Sequence, residues 1–167
     1  NDLIDISMIE SGEMRMSFRY FNVYEFLNNI INEFLPTAQN KNLQLILLQF
    51  RKNLQLFGDK AKLKQVMNNL IMNALKYTEE GKVELLVEEE EKYGKIIVRD
   101  TGIGIPKEDL ERIFERFYRV DKARSREVGG TGLGLAIVKH IIEAHNSKVE
   151  VKSEINKGSE FSFKLKK

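Results

Sequence analysis

The residues Gly129-Gly130-Thr131-Gly132-Leu133-Gly134-Leu135 run directly into an apolar helical stretch. Glycines in such a turn let backbone N–H groups approach phosphate oxygens, and a helix N-terminus adds partial positive charge. The spacing is neither Gly-x-x-x-x-Gly-Lys-Ser/Thr nor Gly-x-Gly-x-x-Gly, and a glycine turn alone serves equally as a structural corner. A second block, Asp100-Thr101-Gly102-Ile103-Gly104-Ile105-Pro106, follows the strand-like Lys95-Ile96-Ile97-Val98, so a carboxylate stands where a strand gives way to a turn. Capping that turn is the commoner use of such an aspartate. A third block, Asn69-Leu70-Ile71-Met72-Asn73-Ala74-Leu75-Lys76-Tyr77, lies on an amphipathic helical stretch. At about 100° per residue, Asn69, Asn73 and Lys76 fall within about 60° of one another, beside the apolar stripe. Neutral amides can offer oxygen to Mg²⁺ without repelling phosphate, and one suffices for an ion that keeps most of its waters. Three solvated polar residues on an outer helix face is the alternative. The fourth block is Phe114-Glu115-Arg116-Phe117-Tyr118-Arg119, where Phe114 and Phe117 also read as ordinary core residues at i and i+3.

These blocks need elements to hold them. Residues Asp2 to Glu10 read as a short helix that breaks at Ser11-Gly12. A capping box, Asn22-Val23-Tyr24-Glu25, opens a helix whose stripe is Val23, Phe26, Leu27, Ile30, Ile31, Phe34 and Leu35. Residues 43–50 read as a strand. Asp59 can cap a helix from Lys60, with the stripe Leu63, Val66, Met67, Leu70, Ile71, Ala74 and Leu75. Strands follow at 83–88 and 95–98, joined by a hairpin around Lys92-Tyr93-Gly94. Pro106 fits the first position of a short helix reaching Ile113. Residues 120–127 are polar and basic without periodicity, which predicts a mobile loop. An apolar helix over 133–144 should lie against the sheet, and Val149/Val151 and Phe161/Phe163/Leu165 mark two closing strands. Helices and strands in this order predict a two-layer α/β sandwich.

Composition narrows the function classes. At 167 residues the chain is one ordinary domain with room for a core. A net charge of +2 makes no electrostatic case for nucleic acid or an anionic membrane. The absence of cysteine excludes disulfides and thiolate metal sites and suits a cytosolic protein. No apolar run approaches the roughly 20 residues that span a bilayer, and no signal peptide is visible. Beginning at Asn1, partway along a helical stretch, the chain reads as part of something longer.

In this order the four blocks resemble the catalytic ATP-binding domain of sensor histidine kinases, in the superfamily that includes gyrase, MutL and heat-shock chaperone ATPases (the Bergerat fold). The resemblance implies a mixed, mostly antiparallel sheet covered on one face by three main helices. It divides the chain into 1–12, the tail of the second dimerisation and phosphotransfer helix, and 13–167, the catalytic domain. A frayed N-terminal helix of the same domain is the other reading of 1–12. The implied ligands are ATP and Mg²⁺. Asn73 would hold the metal with Asn69 in support, Lys76 would contact phosphate, and Arg119 would be the lid arginine on the terminal phosphate; these four are the expected catalytic residues. Asp100 would accept from the exocyclic amine of adenine, where guanine presents a carbonyl. Tyr77, Gly102, Gly104, Gly130, Thr131, Gly132, Leu133 and Gly134 complete the expected nucleotide contacts, although Tyr77 also reads as a helix-end packing residue. Ser159, in Gly158-Ser159-Glu160-Phe161, matches a small hydroxyl that the family places near adenine. Lys122, Arg124 and Arg126 add charge to the lid but read more simply as a solvated basic loop.

The implied reaction moves the γ-phosphoryl group of ATP to a histidine outside this chain, then to an aspartate on a response regulator. No catalytic base need lie here. His140 and His145 are not that acceptor, because Ile141-Ile142 and Asn146-Ser147 follow them instead of an acidic residue, so both read as structural or surface residues. Asn146-Ser147 also stands where the family commonly has a glycine pair, and asparagine tolerates the left-handed turn. The implied partners are the protein's own dimerisation helices, in a homodimeric whole, and a receiver domain, with neither nucleic acid nor membrane touching this part. The implied location is the cytoplasm, as a free protein or the inner part of a membrane-bound sensor. Rival readings are an anti-sigma-type serine kinase, a nucleotide-sensing module, and a gyrase-type ATPase. The last needs a glutamate four residues before the metal asparagine, where this chain has Asn69.

Overall fold

Asn22 and Asp59 start the two long helices in the same way. In the computed structural model, which describes residues 2–120 and 132–167, Asn22 accepts a hydrogen bond from the Glu25 N–H at 2.9 Å and opens α2 (Val23–Asn40). Asp59 accepts from the Lys62 N–H at 3.1 Å and opens α3 (Lys60–Lys76). Each cap satisfies a donor that the first helical turn leaves unpaired. The α3 stripe is buried throughout, from Leu63 to Leu75. On α2 the stripe is buried except for Leu35, which is half-buried. Pro36 interrupts α2 on its exposed face, where the carbonyl it leaves unpaired can meet water.

The main sheet has five strands: β2 (Gln44–Leu47), β4 (Lys82–Glu89), β5 (Tyr93–Asp100), β6 (Glu150–Glu154) and β7 (Gly158–Lys166). Their order is β2-β4-β5-β7-β6, with β2 and β4 parallel and every other pair antiparallel. Val83, Leu85, Ile96, Val98, Phe161 and Phe163 carry the core-facing rows and pack with α2, α3 and α4 (Gly134–Ala144). The other face is mostly polar around a buried Ile97, with Arg99 paired to Glu160 at 2.9 Å. This is the two-layer sandwich with one covered face that the sequence predicts.

Two elements escape the sequence pattern. Strands β1 (Arg19–Asn22) and β3 (Gln55–Gly58) pair antiparallel as a small second sheet. The predicted strand over 43–50 contracts to four residues. The predicted helix over 106–113 is a short 3-10 turn at Lys107–Asp109 followed by further turns, because hydrogen bonds such as Arg112 N–H to Asp109 C=O close tight local loops. At the N-terminus, α1 (Asp2–Glu10) buries Ile6, packs near α4, and leaves Leu3, Ile4 and Met8 exposed. No described helix is long and apolar enough to cross a membrane.

Candidate functional site

A cavity of about 220 Å³ opens between the C-terminal half of α3, the end of β5 and the start of α4. It collects most of the predicted site. Asn69, Asn73, Lys76 and Tyr77 reach it from α3 and its cap, Asp100 and Gly104 from the end of β5, and Arg119 from the turns that follow. Gly132 and Gly134 line it beside α4, and Ser159 joins from β7. Met72, Ile105, Ile113 and Phe161 give it apolar walls, and Asp2 and Tyr118 also border it. Two predicted residues do not line it. Leu133 is fully buried in the core, and Gly102 sits behind the cavity, where a Cβ would meet the Tyr77 carbonyl at 2.4 Å. Gly130, Thr131 and the basic residues Lys122, Arg124 and Arg126 lie outside the described residues.

The helical part of the site is held from both sides. Asn69 Nδ2 donates to the Gly134 carbonyl at 3.3 Å and ties α3 to the start of α4. Lys41, at the end of α2, donates to the C-terminal carbonyls of α3 at Leu75 and Lys76. A cation suits that end, where unpaired carbonyls carry partial negative charge. Asn73 is not used this way: it lines the cavity, and its side chain has no hydrogen-bond partner among the described residues. Lys76 and Arg119 form no ion pair among the described residues. The Asn73 amide and the Lys76 and Arg119 cations therefore border one space, whose lining also includes the carboxylates of Asp2 and Asp100. The amide and cations are groups that fit phosphate oxygens and a largely hydrated Mg²⁺.

Asp100 is built differently. It is 8% exposed, and its Oδ1 accepts from the N–H groups of Gly102 at 2.8 Å and Ser159 at 3.2 Å. Burial pushes its carboxyl pKa up, and the two N–H donors pull part of that back. Both bonds fall on Oδ1, and Oδ2 has no hydrogen-bond partner among the described residues. The turn after Asp100 is clamped: Ile103 N–H donates to the Tyr77 carbonyl at 3.1 Å, and Asn156 N–H donates to the Ile103 carbonyl at 2.8 Å. Only glycine fits at 104, where φ is +75° and a Cβ would lie 2.1 Å from the Glu154 carbonyl oxygen.

The aromatic block is where sequence reasoning misplaces a residue. Phe114 is half-buried and edge-on to Phe161 at 6.3 Å, as a core residue should be. Phe117 is not core: it is 63% exposed with φ +62°. Spacing of i and i+3 implied a shared helical face, but no helix forms there. Instead the Phe117 N–H donates to the Gly132 carbonyl at 2.9 Å, and Gly132 takes φ +76° against the Phe117 backbone. Both histidines stay away from the cavity. His145 accepts from the Asp59 N–H, which makes it a structural residue as its sequence neighbours suggested. Asn146 adopts φ +55° at the end of α4, the left-handed turn that asparagine tolerates.

Residues 58–167 match the family described as histidine kinase-, DNA gyrase B-, and HSP90-like ATPase. Sensor histidine kinase WalK of Bacillus subtilis is 40% identical over 168 residues, covering 99% of this chain and 27% of WalK. The chain thus spans about a quarter of that relative. The crystal structure of full-length ShkA in complex with AMPPNP superposes with a TM-score of 0.85 at 27% identity, over 99% of this chain and 34% of ShkA. The catalytic domain of histidine kinase ThkA gives a TM-score of 0.80 at 30% identity, covering 91% of this chain and 99% of that domain. ThkA has also been solved with the response regulator protein TrrA, where the match is 25% identical with a TM-score of 0.79, over 99% of this chain and 47% of ThkA.

Proposed function

The chain belongs to the histidine kinase-, DNA gyrase B-, and HSP90-like ATPase family, as a histidine kinase catalytic domain, and from that premise we propose that it binds Mg²⁺-ATP and presents the γ-phosphoryl group to a histidine outside residues 1–167. The observation that carries this is the meeting of Asn73, Lys76 and Arg119 with Asp100 in one cavity. Phosphoryl transfer through a loose transition state asks mainly for positioning and charge neutralisation, with little covalent chemistry from the protein. Lys76 and Arg119 would orient the phosphates and neutralise their charge. Asn73, supported by Asn69, would hold the Mg²⁺, which would supply positive charge to offset that of the phosphates. Asp100 Oδ2 would accept from the adenine amine, and the apolar walls would cover the base.

Asn69 also favours a kinase over a hydrolytic ATPase. An amide bonded to the Gly134 carbonyl cannot take a proton from water, so the position that would hold a catalytic base holds a brace. The receiving histidine would lie on a helical hairpin to which α1 belongs, and a response regulator would take the phosphoryl group onward. Calorimetry tests the first step: Mg²⁺-ATP should bind, and GTP should bind at least about tenfold more weakly, the cost of one mismatched polar contact. Equal affinities, or no binding, would overturn the reading. Joining the chain to its upstream hairpin and measuring phosphohistidine tests the second step.

A further inference from the structure

Asp100, Ser159 and Ser153 lie side by side across three strands: Asp100 is the register partner of Ser159, and Ser159 is the register partner of Ser153. Direct cross-strand partners share a face of the sheet, so the three side chains form one polar row running away from the cavity. Ser153 itself does not line the cavity, and its hydroxyl lies within hydrogen-bond distance of three groups. These are the Ile105 N–H at 2.7 Å, the Gly158 carbonyl at 2.9 Å and the Ser159 hydroxyl at 2.8 Å.

A hydroxyl has one proton and two lone pairs. The Gly158 carbonyl can only accept and the Ile105 N–H can only donate. All three bonds form in just one arrangement: Ser153 donates to Gly158 and accepts from both Ile105 and Ser159. The proton of Ser159 is then directed away from the cavity, which receives only its lone pairs. Beside it stands Asp100 Oδ2, also an acceptor.

Resting on the nucleotide reading above, we propose that Ser153 is a positioning residue for base selectivity: it holds the Ser159 proton away from the ligand, so this wall of the cavity only accepts hydrogen bonds. A base with an amine at this edge is satisfied, whereas a base with a keto oxygen meets two acceptors and no donor. Without the Ser153 hydroxyl, Ser159 can rotate its proton toward the ligand and donate to that keto oxygen. Selectivity then falls from both sides.

Inosine triphosphate probes this edge, because it replaces the purine amine by a keto oxygen and leaves sugar and phosphates unchanged. Its N1 also gains a hydrogen, a difference common to parent and variant, so the change in the ratio is what is read. The measurement is the ratio of ATP to inosine triphosphate affinity, by calorimetry with Mg²⁺ on the full chain. In Ser153→Ala the ratio should fall by about tenfold, the size of one hydrogen-bond contact. Ser153→Thr keeps a hydroxyl and should keep the ratio. In a Ser159→Ala background, Ser153→Ala should change the ratio no further, since the two act through one proton. If Ser153→Ala does not fold, Ser153→Cys, whose sulfur accepts only weakly from the Ser159 hydroxyl, carries the same ratio test. A Ser153→Ala variant that loses both affinities equally, or lowers the ratio again without Ser159, would show a merely structural residue and overturn the inference. A wild-type chain that bound neither triphosphate would overturn the nucleotide reading and this inference with it.

Discussion

The backbone N–H of Asp59 donates to Nε2 of His145 at 3.0 Å, joining the first residue before α3 to the last turn of α4. The same ring bonds the Ile141 carbonyl through Nδ1 at 2.8 Å, so it is a neutral imidazole that donates at one nitrogen and accepts at the other. Burial pushes its pKa below the ordinary 6.5, and hydrogen bonding to Ile141 and the nearby Asp59 charge offset part of that. Protonation removes the acceptor that the Asp59 N–H needs. Between the folded and unfolded pKa the unfolded chain holds more protons, so this contribution to stability is complete above the unfolded value and is lost as pH falls below about 6.5. The melting temperature should drop from pH 7.5 to 5.5, and His145→Ala, less stable at pH 7.5, should show a shallower drop. Equal slopes in the two proteins would refute the assignment.

Asp100→Asn should preserve the fold and damage ATP binding. Its Oδ1 can still accept from Gly102 and Ser159, which places the new NH₂ group where an adenine amine would point. The loss should be about 1–3 kcal/mol of ATP affinity, read by calorimetry against an unchanged melting temperature.

Asn73→Ala should separate function from stability. The side chain leaves the buried stripe intact, so the melting midpoint should stay within about 0.5 kcal/mol of the parent. Phosphohistidine formation, measured with the helical hairpin joined to the chain, should fall on the order of 10–100-fold, the range seen when a metal's protein shell is perturbed. A variant that unfolds would leave Asn73 as a structural residue.

Gly104→Ala should do the reverse and strike the scaffold. A Cβ there meets the Glu154 carbonyl and must hold a positive φ, strain worth about 1–3 kcal/mol before the clash is counted. Denaturant unfolding should show that loss, and ATP binding should weaken with it because Ile103 and Ile105 are both anchored around this residue.

Arg119→Met should distinguish triphosphate from diphosphate. If Arg119 meets the terminal phosphate, ATP affinity falls more than ADP affinity, and adenosine affinity stays level. Equal losses for ATP and ADP would move the contact to an inner phosphate.

The long helices and the main sheet were legible because burial repeats along them at a regular period: every stripe residue predicted on α3 is in the core. The small sheet was not. Arg19-Tyr20-Phe21-Asn22 is too short to show alternation, and its partner lies 33 residues away at Gln55 in the Asn22 register, so the pairing is a tertiary event. Site residues on one helix or in one turn could be read from spacing, as with Asn69, Asn73 and Lys76. Ser153 could not, since its role depends on which strands lie beside β6. Phe117 misled for the same reason: i and i+3 share a face only where a helix exists.

The order of the main sheet ends on β2 and β6, and these outer strands bear on how the protein behaves at high concentration. An outer strand offers unpaired backbone groups to any neighbouring chain that can extend the sheet. On β6 that invitation is countered by Glu150, Lys152 and Glu154, all exposed, while β2 has only four residues. A second copy aligning antiparallel to β6 would set Glu150 opposite Glu154 and Lys152 opposite Lys152, repulsion at every exposed position. The alternation that looks like an ordinary solvent-facing strand therefore also guards the sheet against fibrous growth.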